Sequence, residues 1–264
     1  MTSSIEFEWK QSAVQGAIDS LVMELLFYNS NGGRNVVQFT GCSSKIGTST
    51  ITKAAAAALA LADWKTLLIE IDLSSQRKGH QKKVSSRKSK KESKKTSSET
   101  DTDKGIFAYL DNKEQMRNIL QKTNIPKLTY VPAENRPPNY LGSLNSDKMK
   151  EFISTVKKDY DFVFIDSSPV TLTPGTASLF SLVDGIVLVA AAGRTKKNEL
   201  ENAKHRIRDY QDRYYGLILN KMNPKDCEAF HFSSRLKSIA LDTIGIGDGM
   251  QDKNQQPIKL LEKG

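Results

Sequence analysis

The sequence predicts an α/β domain built on a doubly wound, mostly parallel β-sheet. Short apolar segments alternate with helical segments along most of the 264 residues, and this alternation is typical of βαβ units. The apolar segments are almost continuously hydrophobic, as expected for strands buried on both faces of a sheet. The length suits one domain with additions. We therefore predict a single domain over residues 1–264.

The predicted elements follow one another along the chain. Apolar residues recur at helical spacing near the start, which predicts an amphipathic helix over about residues 11–28. An alanine-rich helix ends near Ala62, and a short helix follows Gly105. Further helices are predicted near 146–158 and over 196–210. The predicted strands are 36–40, 67–71, 128–131, 162–165, 185–191 and 216–220.

One segment differs from the rest in composition. Residues 74–104 contain 11 Lys or Arg, four acidic residues and a single large aliphatic residue, Val84. Such a segment buries too little apolar surface to offset its ordering entropy, so we predict a disordered insertion there. We separately predict a C-terminal tail over residues 242–264. The segment carries +7 of the net charge of +9. The remaining body is nearly neutral, which does not favour a nucleic-acid-binding protein.

The basic insertion has three interpretations. The first is a solvated loop without a partner. The second is an electrostatic contact with anionic lipid, worth about 1 kcal/mol per Lys or Arg near the surface, which phosphorylation of its 11 Ser/Thr residues would tune. The third is nucleic acid, but no aromatic residues are interspersed for base stacking.

The cysteines and the apolar runs indicate the compartment. Cys42 and Cys227 form neither a disulfide framework nor a zinc motif, which favours a reducing cytoplasm. The first residues lack the basic and apolar parts of a signal peptide. The longest apolar run, Ala54–Ala62, is too short to span a bilayer. We expect a cytoplasmic protein, with any membrane contact peripheral at the inner face of the plasma membrane.

The loop after the first predicted strand has the layout of a phosphate-binding loop. Its backbone N–H groups and the following helix N-terminus would face an anion. The usual pattern is G-x-x-x-x-G-K-[ST]. With the second glycine at Gly47, Ser49 holds the position of the magnesium-binding hydroxyl, Thr48 replaces the lysine, and Cys42 replaces the first glycine. The predicted nucleotide-binding residues of the loop are Ser44, Lys45, Ile46, Gly47, Thr48, Ser49 and Thr50.

The missing lysine leaves two interpretations of the loop. One charge pair at about 4 Å is worth up to about 4 kcal/mol at an effective dielectric constant of about 20, or about a thousandfold in affinity or rate. Lys45 is close enough in sequence to substitute for that lysine in part. Alternatively, residues 47–50 form only a strand-to-helix turn capped by Ser and Thr.

Two later strands end on an aspartate. Asp72 and Asp166 are predicted at the carboxyl edge of the sheet, where ligands of open α/β folds bind. With Ser49 they would hold Mg²⁺ beside a nucleotide, so both are predicted as catalytic and metal-binding residues. Glu70 lies two residues before Asp72 and shares its strand face. Alternatively, each carboxylate caps the following turn.

In this order of motifs the chain resembles the cytoplasmic tyrosine autokinases of bacterial capsule and exopolysaccharide synthesis, which have a MinD/ParA-like P-loop fold. The resemblance runs from about Leu21 to Asn223. It implies ATP and Mg²⁺ as cofactors, a membrane chain-length (Wzz-like) protein as partner, and an approach of Asn220 to adenine; alternatively, Asn220 only ends a strand. The segments that carry it are 24–29, 67–73, 131–141, 160–170, 183–195 and 216–221.

The sequence also departs from the family pattern. Thr48 replaces the loop lysine, Glu70 replaces the first acid of the D-x-D motif, and Ser74 replaces a basic residue that follows it. The family's E-x-x-R-x-x-R oligomer motif would fall on Gly16, Asp19 and Val22, so the three charges of the motif are lost. The oligomeric state is therefore left open. The family's C-terminal tyrosine cluster is absent, since Tyr215 is the last tyrosine.

Three functional hypotheses follow. The departures favour a degenerate relative with weak or no kinase activity, which acts as an accessory or regulatory protein in polysaccharide synthesis or export. The second hypothesis is an active ATP-dependent tyrosine kinase or ATPase that uses Lys45, Ser49, Asp72 and Asp166. The third is a ParA/MinD-like positioning ATPase, since those proteins share the fold.

Overall fold

The computed structural model describes residues 15–30, 33–71, 105–134 and 137–222. Seven strands form one sheet in the order β3-β4-β2-β5-β1-β6-β7. Every neighbouring pair is parallel except β3 and β4, so the predicted mostly parallel sheet is confirmed. The strands are β1 (Val36–Gly41), β2 (Thr66–Glu70), β3 (Gln121–Lys122), β4 (Leu128–Val131), β5 (Phe162–Asp166), β6 (Gly185–Ala191) and β7 (Tyr214–Asn220).

Helices cover both faces of the sheet and form two apolar cores, one on each side. The first two helices pack against one face, and the later helices pack against the other. This is the doubly wound arrangement. The helices are α1 (Gln15–Ser30), α2 (Thr48–Leu61), α3 (Ile106–Leu110), α4 (Met116–Ile119), α5 (Tyr140–Leu144), α6 (Asp147–Asp159), α7 (Pro174–Ser178) and α8 (Lys197–Ile207).

The alanine run of α2 explains how this helix lies against the sheet. Ala55, Ala56 and Ala57 are fully buried, and their small side chains allow the helix backbone to approach the strands closely. Leu21 and Leu25 of α1 complete the same core. Because β1 is an interior strand between β5 and β6 and α2 follows it directly, the β1–α2 loop lies at the carboxyl edge away from both ends of the sheet.

The structure differs from the predicted elements in several places, and helices α5 and α7 were not predicted. The helix predicted over 196–210 ends at Ile207, and a 3₁₀ segment follows over Arg208–Arg213, with a kink at Tyr210 (φ −128°). Strand β3 was not predicted, since its two residues carry no apolar pattern. Asp72, the insertion at 74–104 and the tail at 242–264 lie outside the described residues.

Candidate functional site

The β1–α2 loop ends at a position whose left-handed backbone favours glycine. Gly47 has φ +95° and directly precedes α2. The first hydrogen bond of the helix joins the Ile51 amide to the Gly47 carbonyl at 3.0 Å. The amides of Thr48, Ser49 and Thr50 therefore have no intrahelical acceptor, as in the first turn of any helix. They form an N–H cluster at the positive end of a 14-residue helix, which suits a phosphate group.

The start of the loop is fixed to its neighbouring strands. The Cys42 amide donates to the Val189 carbonyl at 2.9 Å, and the Thr171 hydroxyl donates to the Cys42 carbonyl at 2.7 Å. Cys42 is fully buried. Burial, and to a lesser degree the charge of Glu199, raises the pKa of its thiol to about 12. The residue in the place of the first loop glycine is therefore a neutral packing group and not a nucleophile.

The end of the loop is held from β7. The Asn220 side-chain amide donates to the Ile46 carbonyl at 2.8 Å, and the Lys221 ammonium donates to the Lys45 carbonyl at 2.7 Å. A Cβ atom at Gly47 would lie 2.3 Å from the Asn220 amide nitrogen. Asn220 thus contacts the loop backbone itself, and the structure gives it a role in fixing the loop.

The side chain at position 48 is short and turned towards the loop. The Thr48 hydroxyl lies 2.9 Å from the position that a Cβ atom would take on Gly41. Lys45 has a left-handed backbone (φ +61°), and both Ser44 and Lys45 are exposed. The loop therefore offers backbone donors and one exposed lysine, but no side chain of lysine length at position 48.

The predicted carboxylate of β5 lies beside this loop. Asp166 is fully buried at the end of β5. It pairs in register with Phe39 of β1 on one side and with Glu70 of β2 on the other. The structure thus brings together the loop residues 44–50, Asn220 and Asp166 at one edge of the sheet. Asp72, the second predicted aspartate, lies outside the described residues.

Glu70 belongs to a polar cluster that the sequence did not indicate. The Tyr130 hydroxyl donates to Glu70 Oε2, and the Lys53 Nζ lies 3.8 Å from Glu70 Oε1. Burial, followed by the charge of Glu70, raises the pKa of Tyr130, so its phenol stays protonated and donates. The available signal for Lys53 was its i+4 spacing from Ser49 on the same helix face.

The donor set at this edge suits Mg²⁺ completed by a nucleotide. Within the described ranges, no three His, Cys, Asp or Glu side chains converge as a metal site. Mg²⁺ in nucleotide sites binds one or two carboxylates, and phosphate oxygens and waters supply the remaining ligands. Ser49 and Asp166 are hard oxygen donors on adjacent elements and fit this role.

The chain is similar in sequence to a family of known proteins. The family model described as "AAA domain" matches residues 36–214. The tyrosine-protein kinase CpsD of Streptococcus agalactiae is 34% identical over 203 residues, which cover 73% of this chain and 82% of that protein. This chain belongs to the bacterial tyrosine-kinase family of P-loop NTPases. The predicted family resemblance is thereby confirmed.

Solved structures give the same result for the fold. The BceF tyrosine kinase domain aligns with a TM-score of 0.63 and 25% identity, and the alignment covers 79% of this chain and 77% of that chain. The MinC:MinD complex of Aquifex aeolicus aligns with a TM-score of 0.53 at 17% identity over 80% of this chain and 77% of that one, which supports the MinD-like fold alone. No helix among the described residues has the length and hydropathy of a membrane span.

Proposed function

We propose that this chain is a nucleotide-binding member of the tyrosine-kinase family with weak or no kinase activity. We propose further that it acts as an accessory or regulatory protein in capsular or exopolysaccharide synthesis and export. One observation carries the proposal: the loop keeps its N–H cluster, while position 48 holds a short threonine packed over Gly41. The membership of this chain in the tyrosine-kinase family supports nucleotide binding. Its resemblance to the autokinases of polysaccharide synthesis supports a role in that process.

The loop and the phosphoryl-transfer machinery differ in what they require. Binding the phosphates needs the amides of residues 48–50 and a loop held in shape by Asn220. Mg²⁺, when bound, neutralises phosphate charge, and Ser49 and Asp166 would hold it. Transfer also needs a cation on the terminal phosphate, where charge develops. The absence of lysine at position 48 therefore lowers transfer more than binding.

The partner and the location are part of the same proposal. We expect a membrane chain-length protein of the Wzz type to bind this chain, as the resemblance implies. The basic segment 74–104 would add attraction to anionic lipid at the inner face of the plasma membrane. Co-purification with the chain-length protein of the same gene cluster, and sedimentation with vesicles containing anionic lipid, measure the two contacts separately. A variant lacking 74–104 should lose only the second.

The decisive experiment compares binding with turnover. ATP affinity is measured by calorimetry with Mg²⁺, and phosphate transfer is measured by radiolabel from γ-labelled ATP. We expect the wild type to bind ATP with turnover at the background level. Thr48→Lys should raise turnover, because it restores a cation that reaches the terminal phosphates. Thr48→Met is the matched control of similar length without charge, and it should leave turnover at background.

Two results would overturn the proposal. Wild-type phosphotyrosine formation that Asp166→Ala abolishes would establish the active kinase that uses Lys45, Ser49, Asp72 and Asp166. A loop that binds no ATP, and gains none in Thr48→Lys, would establish that it is only a strand-to-helix turn.

A further inference from the structure

We propose that Lys53 replaces the missing lysine of position 48 in nucleotide binding but not in phosphate transfer, and that its ammonium group, held beside Glu70, binds the β- and γ-phosphates of the nucleotide. The inference rests on the proposed nucleotide site and adds a residue to it. Neither the loop pattern nor the family motifs include this position.

The helix directs Lys53 towards the loop. Lys53 follows Ser49 by four residues in α2, so the two side chains lie on one face, one turn apart. Side chains in a helix lean towards its N-terminus, and the N-terminus of α2 is the N–H cluster described above. A lysine one turn below a phosphate-binding turn therefore extends towards the ligand and not away from it.

The contact with Glu70 locates the ammonium group. Lys53 Nζ lies 3.8 Å from Glu70 Oε1, and Glu70 ends β2 beside Asp166 of β5. Lys53 thus bridges from α2 to the carboxyl edge of the sheet, where the loop lies. A separation of 3.8 Å is longer than a hydrogen bond, so the ion pair does not use the N–H donors of the ammonium. The Lys53 side chain is 39% exposed, which leaves it accessible to a ligand.

Glu70 and Tyr130 act as positioning residues. The Tyr130 hydroxyl holds Glu70 Oε2, so the second oxygen of the same carboxylate faces Lys53 from a fixed place. The ammonium is kept at the edge in the absence of nucleotide and can exchange a loose carboxylate contact for a phosphate. A triphosphate carries more negative charge than one carboxylate, which favours this exchange.

The other lysines near the loop are placed differently. Lys221 donates to the Lys45 carbonyl, so its ammonium braces the backbone. Lys45 is exposed at a left-handed position in the loop, and no ion pair among the described residues directs its side chain to the edge. Of these three lysines, Lys53 is the one that pairs with a carboxylate at the end of a strand.

The test compares ATP with AMP, because AMP lacks the β- and γ-phosphates that Lys53 would bind. Dissociation constants are measured by calorimetry with the full-length chain, in EDTA and again in Mg²⁺. Lys53→Met should weaken ATP binding about tenfold, equivalent to about 1.4 kcal/mol, and leave AMP binding unchanged. Lys197→Met is the matched control: Lys197 is also a helical lysine 3.8 Å from a glutamate, Glu201, but it lies in α8, and neither affinity should change.

A second set of variants separates charge from structure. Lys53→Arg should keep ATP affinity within about threefold of wild type. Thr48→Lys should restore ATP affinity in the Lys53→Met background by more than it raises affinity in the wild type, since two cations that serve the same phosphates are not additive. Tyr130→Phe should weaken ATP binding by less than Lys53→Met does, because it only releases Glu70.

The outcomes distinguish this inference from the proposed function. ATP binding by the wild type that Lys53→Met leaves unchanged would overturn the role of Lys53 and leave the nucleotide site intact. Equal losses for ATP and AMP in Lys53→Met would also overturn it, since they indicate a change in loop structure. A wild type that binds neither nucleotide would overturn both proposals.

Discussion

The two edges of the sheet place charged groups in opposite ways. At the amino edge, Asp184 Oδ2 accepts from the amides of Asn35 and Val36 at 3.2 and 3.0 Å, and its other oxygen is bound by Lys157. At the carboxyl edge, the first amides of α2 have no intrahelical acceptor, and Lys53 pairs with Glu70 only loosely. Charged groups whose hydrogen bonds are satisfied stabilise the fold, whereas donors without a protein acceptor are available for a ligand.

The largest predicted effect removes the amino-edge carboxylate. Asp184→Ala leaves two amides and a partly buried lysine without their acceptor, so we expect a loss of about 3 kcal/mol in the free energy of unfolding. Urea denaturation measures it, and the ATP affinity of the folded fraction should not change. At the other edge, Glu70→Gln should cost less than about 1 kcal/mol, because the ion pair that it removes is loose and partly exposed. Equal losses at the two edges would contradict the comparison.

The next effect concerns the backbone of the loop. Gly47→Ala forces a side chain into a left-handed position and against Asn220, so we expect a loss of about 2 kcal/mol in stability and of about tenfold or more in ATP affinity. Calorimetry and thermal unfolding measure the two effects. Gly33→Ala is the matched control, with φ +62° and open space around the new Cβ. It should cost about 1 kcal/mol and leave ATP affinity unchanged; a matching loss of affinity in both variants would refute a specific role for Gly47.

A smaller effect tests the brace from β7. Asn220→Ala removes the 2.8 Å hydrogen bond to the Ile46 carbonyl and should cost about 1 kcal/mol in stability, with a several-fold loss in ATP affinity. Asn145→Ala removes a comparable 2.9 Å hydrogen bond to the Leu141 carbonyl, far from the loop in sequence. If both variants reduce ATP affinity alike, Asn220 acts only through general stability.

The smallest effect concerns the base of the loop and its dependence on pH. Since burial raises the pKa of the Cys42 thiol from 9.0 to about 12, the protonated thiol contributes stability that is complete below about pH 9 and decreases as the pH rises towards 12. In a Cys227→Ser variant, iodoacetamide at pH 8.5 should label Cys42 slowly in the native protein and quickly in urea. Fast labelling of the native protein would indicate that the loop base is open.

Some elements were predictable because their residues carry a local pattern. The strand predicted over 185–191 occurs with those bounds, since a continuous apolar run between turns has few alternatives. The end of α8 at Ile207 was not predictable, because the 3₁₀ segment that follows it is a polar stretch whose pattern continues the helix. The pairing of β3 with β4 was also missed, because an edge strand of two residues is defined by its neighbour.

The P-loop α/β fold, the place of the phosphate loop after β1 and the replacement of its lysine by Thr48 were all predictable from the amino-acid sequence. These follow from periodicity and from short motifs, which are local properties of the chain. The folded chain was needed to show that Asn220 fixes the loop and that Lys53, Glu70 and Tyr130 meet at one edge. Those contacts join residues from different strands and helices. The order of the parallel strands determines which strand ends are neighbours, and the local sequence does not encode that order.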